Sequence, residues 1–166
     1  MTELQQGSIA AAPSTYQDWL DCFARIKEAP LSAEDDFALL ARGSFTGTGA
    51  MQAALERQMV EAINAFLNKS VKRFVRELNE CIAFQELAQA EVLFKRLKKN
   101  IRKTTFFLEL SFLPVDFKEE LYQSITEQML GFWNDTIRFL RRQAMEYANS
   151  DLEDALFLIG RIRLFS

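Results

Sequence analysis

Between Ala50 and Leu113 the chain runs for 64 residues without a glycine or a proline. No other feature constrains the fold as much, because strands and hairpins need turn residues at short intervals whereas helix interiors exclude them. Within the stretch Leu55, Met59, Ile63, Phe66, Leu67, Val71, Phe74, Val75, Leu78 and Ile82 recur at spacings of three and four, the period of one helical face. The pattern resumes at Leu87, Ala90, Phe94, Leu97, Ile101, Thr105, Leu108 and Phe112. One continuous helix would be ~95 Å long, and so short a chain could not cover its apolar stripe. We therefore expect the segment to fold back near Phe84–Leu87 as a helical hairpin.

The flanking sequence repeats the signal. Ser14-Thr15-Tyr16-Gln17 fits a capping box, followed by an apolar face at Tyr16, Trp19, Leu20, Phe23 and Ile26 that ends before Pro30. A short helix starts at Ser32–Asp35 and carries Phe37, Leu40 and Ala41, with Gly43 expected to supply a left-handed residue past its end. Asp116–Glu119 opens a long helix after Pro114, carrying Leu121, Ile125, Met129, Trp133 and Leu140. Ser150–Glu153 opens a last one, with Leu152, Leu156, Ile159 and Ile162 on its apolar face. Thr104–Leu113 reads two ways, as a short strand or, preferably, as a helix end buried on several sides. The expected fold is all-α, an elongated bundle of three long antiparallel helices plus about three short ones. A single domain is expected over 13–166, with a disordered tail over 1–12 and a flexible Gly-rich connector over 43–49. That connector lacks the Gly-Lys-Ser/Thr ending of a phosphate-binding loop. Gly131 points to close helix approach or a kink, or has no role.

The chain contains no histidine. Imidazole bases, Ser-His and Cys-His pairs and His-ligated metals are thereby excluded, including the Glu-x-x-His sites of di-metal bundles. The acidic pairs fall in first helical turns, where the macrodipole favours them without catalysis. Cys22 and Cys81 form no CxxC motif and sit on apolar stripes, so buried free thiols are expected. No catalytic residue, metal or cofactor is assigned, and the protein is read as not an enzyme. With no basic leader before an apolar run and no apolar stretch of ~18–20 residues, a cytoplasmic protein without membrane insertion is expected.

Charge is distributed unevenly about a net of −3. Lys69, Lys72, Arg73 and Arg76 follow i, i+3, i+4, i+7 and share one stripe, while Lys95, Arg96, Lys98, Lys99, Arg102 and Lys103 crowd the next segment. A turn at Gln85–Glu86 makes paired positions sum to about 171, which sets Lys72 beside Lys99, Arg73 beside Lys98 and Arg76 beside Lys95. Like charges at one height call for an anionic counter-surface, or for neutralisation by Glu77, Glu80 and Glu91 on solvated outer faces. Lys69, Lys72, Arg73, Arg76, Lys95, Lys98, Lys99 and Arg102 are therefore the candidate partner- or anion-binding residues. The apolar block Phe106, Phe107 and Phe112, with Leu156 and Ile159, is the candidate contact of a homodimer. The reading that follows is a non-enzymatic helical protein-protein interaction module, such as an adaptor, regulator or immunity-like factor, whose protein partner the sequence does not identify. Its alternative is an anion- or nucleic-acid-associated protein using the basic hairpin 69–103. The sequence pI of 5.2 and the lack of interleaved aromatics count against nucleic acid.

Overall fold

The computed structural model describes residues 9, 11–28, 34–84, 86, 89–147 and 159. The fold is all-α. The described residues form helices α1 (Tyr16–Glu28), α2 (Glu34–Leu40), α3 (Gly49–Ala83), α4 (Gln89–Thr104) and α5 (Val115–Tyr147), with a 3-10 turn at Thr105–Glu109 between α4 and α5, and no strand occurs among them. Thr104–Leu113 is thus a helix end that tightens into the 3-10 turn. The last expected helix lies outside the described residues, apart from Ile159.

The single domain expected over 13–166 divides into two compact units, one formed by Met1–Phe66 with Lys103–Glu119 and one by Leu67–Arg102 with Glu120–Ser166. A chain of aromatic contacts builds the first. Phe66 meets Phe37, Phe37 meets Phe107, Phe107 meets Phe23, and Phe23 meets Trp19. Trp19 then meets Phe112, and Phe45 joins Phe112 to Tyr16. Tilted and edge-on pairs of this kind each add about 0.5–1.5 kcal/mol beyond area burial. The second unit has its own cluster, in which Phe74 contacts Phe94 and Phe132, and Phe94 contacts Trp133. Eight phenylalanines, Phe23, Phe37, Phe45, Phe66, Phe74, Phe94, Phe107 and Phe112, and with them Phe132, take part in these contacts, whereas Phe84 and Phe139 are exposed.

The Phe74–Phe94 pair decides between hairpin and rod. Twenty residues of uninterrupted helix would separate the two Cα atoms by about 30 Å, yet the ring centroids are 4.9 Å apart. The chain folds back, and it does so without glycine. Glu86 N–H donates to the Cys81 carbonyl at 2.9 Å, the 6→1 bond that closes a helix C-terminus, and Gln89 N–H donates to the Glu86 carbonyl at 3.0 Å.

Local chemistry departs from expectation at the α1 cap, at Gly43 and in the 43–49 connector. The cap of α1 sits one residue later than read: Thr15 Oγ1 accepts from Asp18 N–H at 3.1 Å, and Asp18 Oδ2 accepts from the N–H groups of Thr15 and Ser14 at 2.9 and 3.2 Å. The carboxylate at that spacing takes two otherwise unsatisfied donors. Gly43 is not in a left-handed conformation; it is required because the Trp19 ring occupies the space of a side chain there. Gly131 has open space around it and serves neither packing nor a close approach. The 43–49 connector is pinned, since Ser44 N–H donates to the Pro13 carbonyl, the Trp19 indole donates to the Ser44 carbonyl, and Phe45 is buried. Thr48 then caps α3, its Oγ1 accepting from Met51 N–H at 3.3 Å.

Candidate functional site

The amphipathic faces of α3 and α4 turn Phe74, Leu78, Cys81, Ala90, Phe94, Leu97 and Ile101 into the core of the second unit. The intervening positions carry the basic residues. Lys69, Lys72, Arg73, Arg76, Lys95, Lys99 and Arg102 are exposed and Lys98 is half-buried. Val75, counted with the apolar face from its spacing, instead lies among the exposed residues at 39%. Lys103, the last of the bases that crowd this segment, is buried, with Nζ 5.9 Å from the centre of the Phe37 ring, a cation–π contact inside the first unit.

The two stripes meet at one carboxylate. Glu77 accepts from Arg73 Nε at 2.8 Å along α3 and pairs with Arg96 of α4 across the hairpin. Positions 77 and 96 sum to within two of the expected register. Arg96, passed over in favour of its neighbours, is therefore the residue that joins the helices. Partial burial first, and the adjacent Arg73 charge second, press its guanidinium below the usual range without discharging it. Lys95 pairs with Glu91 within α4. Two of the three carboxylates expected to neutralise the stripes do so, and they leave a net-positive face: residues 67–102 hold nine basic and four acidic side chains.

The candidate oligomer contact is buried in part. Phe107 is 1% exposed, between Phe23 and Phe37, and Phe112 packs on Trp19 and Phe45. Phe107 is not offered to a second copy, because the 3-10 turn at Thr105–Glu109 turns it inward, while Phe112, beyond that turn, is half-buried. Phe106 is half-buried and Ile159 fully buried, while Leu156 lies outside the described residues.

Two surface features were not singled out in the sequence. An open groove of about 560 Å³ in the first unit is lined by Ala53, Glu56, Arg57, Val60 and Glu61 of α3 and Phe117 of α5. Its apolar floor lies between carboxylates, one of which, Glu61, receives Lys27 Nζ at 3.2 Å. On α5, Arg138, Arg141 and Arg142 line a shallow concavity of about 580 Å³ with Asp135; their i, i+3, i+4 spacing was a legible signal.

Among the described residues no group of three or more Cys, Asp or Glu is placed to hold a metal ion. No helix there is long and apolar enough to cross a membrane. Comparison with protein-family models, curated proteins and solved structures finds no match.

Proposed function

We propose that the protein is a non-enzymatic interaction module whose basic α3–α4 face docks a carboxylate-bearing protein surface. The observation that carries this reading is Glu77, a carboxylate already held between Arg73 and Arg96. The face accepts carboxylates in paired-guanidinium geometry, the arrangement Arg favours at protein interfaces. Between the basic residues the exposed apolar side chains are aliphatic, Val75 at 39% and Val92 at 60%, and the one exposed aromatic of the hairpin, Phe84 at 74%, stands apart at the turn after α3. Valine offers apolar contact to a partner helix but no stacking platform for bases.

The test titrates the protein with an acidic amphipathic helical peptide and, separately, with random-sequence duplex DNA and single-stranded RNA at physiological salt. Peptide binding is expected, and its loss when Lys72, Arg73, Lys98 and Lys99 are changed together to Gln. A steeply salt-sensitive association with nucleic acid, lost in the same variant, would overturn the reading and install the nucleic-acid alternative.

A further inference from the structure

Resting on that interaction reading, we propose that the surface docked is the first unit of a second copy of this chain, with the outer stripe of α4 seated on the α3–Phe117 groove. The two units carry opposite charge. The first has twelve acidic and six basic residues and the second eleven and fourteen, −6 against +3, so one molecule holds both halves of a complementary pair.

The two surfaces match in size and in kind. Val92, Lys95 and Lys99 follow i, i+3, i+7 on one exposed stripe of α4 and span about 10 Å. The groove runs along α3 from Ala53 to Glu61, about 12 Å. Val92, 60% exposed, is the apolar knob for the floor that Phe117 helps to form, and the two lysines reach Glu56 and Glu61 on either side of Arg57, Lys95 exchanging its exposed pair with Glu91 and Glu61 its pair with Lys27. Phe107, the centre of the apolar block first expected to make the contact, is buried within the chain, whereas these two faces are open. Self-association through them is governed by charge and sensitive to salt, unlike an apolar contact.

Light scattering on the full chain at micromolar concentration, at about 50 mM and about 500 mM salt, reads the assembly. The wild type is expected to associate at low salt and dissociate at high salt. Lys95→Glu with Lys99→Glu, and separately Glu56→Lys with Glu61→Lys, place like charges together and should each weaken association at least about a hundredfold. Mixing the two variants restores opposite charge at every contact and should recover the assembly. The neutral pair Lys95→Gln with Lys99→Gln, which introduces no repulsion, should weaken it about tenfold and serves if a reversed variant loses helicity by circular dichroism. A wild type that stays monomeric at low salt, or folded variants that fail to recombine, would overturn the proposal. If a monomeric wild type still binds the acidic peptide, the interaction reading stands and only self-docking falls; if it binds neither, both fall.

Discussion

The Trp19 ring fills the space directly over the Cα of Gly43. A Cβ there would overlap indole Cζ2 and stand 2.8 Å from Cη2 and 3.0 Å from the Leu40 carbonyl oxygen. Trp19 has no slack to give, since it is fully buried and its indole N–H is committed to the Ser44 carbonyl at 2.9 Å. Gly43→Ala should therefore destabilise the protein by about 1–3 kcal/mol, measured by urea unfolding, with near-UV dichroism reporting displacement of the tryptophan. An unchanged midpoint would show that the ring can move at no cost.

Gly131 presents the opposite case. It is exposed on α5, nothing lies within 4 Å of where a Cβ would be, and its backbone is helical. Gly131→Ala should stabilise by about 1 kcal/mol, a rise in Tm of about 2–4 °C for a chain of this size. A fall in Tm would reveal a packing role absent from this structure.

These two glycines mark the boundary of what was legible. Helices α3 and α4 could be read because their apolar residues recur at a local period, and the fold-back because a covered stripe needs a partner of similar length. The 171 register followed from turn position alone, and the Glu77–Arg96 pair sits within two of it. What Gly43 does depends on a tryptophan 24 positions away, so sequence spacing pointed to a left-handed cap instead of a close approach. Phe107, expected at a subunit contact and found buried, differs for a related reason. A 3-10 turn advances each residue by about 120° rather than 100°, so faces drawn with α-helical spacing point the wrong way. The division into two units left no trace at all, because α3 and α5 run unbroken across the sequence positions where it falls.

Asp18 should give the α1 cap a measurable pH dependence. Hydrogen bonds from the Thr15 backbone first, then the Ser14 backbone, hold its carboxyl below the ordinary 3.8. The unfolded chain therefore takes up a proton at higher pH than the folded one. The cap's contribution is fully present above the unfolded value and is lost as pH falls through the lower folded value. Asp18→Ala should be less stable than wild type by a constant margin at neutral pH, and that margin should shrink on acidification below about pH 4. A margin independent of pH would show that the carboxylate charge contributes nothing.

Cys22 and Cys81 are both buried thiols outside any disulfide. Burial first, then the charges of Glu86 and Glu80, push the Cys81 thiol above its ordinary value, which lowers the thiolate fraction that reacts. Native protein should therefore react negligibly with a thiol-alkylating reagent at neutral pH, and both cysteines should react once it is unfolded in urea. Rapid labelling of Cys81 in the native state would mean that the α3–α4 turn opens far more readily than its hydrogen bonding implies.

Glu77→Gln tests the join between the two basic stripes. The substitution keeps the side chain's shape and removes the charge that Arg73 and Arg96 share, leaving two guanidiniums facing each other across the hairpin. Glu77 is largely covered, at 19% side-chain exposure, but the arginines are 55% and 38% exposed, so solvent screens much of the repulsion and the loss should be about 1 kcal/mol. Salt separates charge from shape in this experiment. Raising it weakens the attraction in the wild type and relieves the repulsion in the variant, so the stability gap should narrow as salt increases. A gap that holds at high salt would mean that Glu77 acts through packing and hydrogen bonding alone, and that the α3–α4 face does not depend on a shared charge.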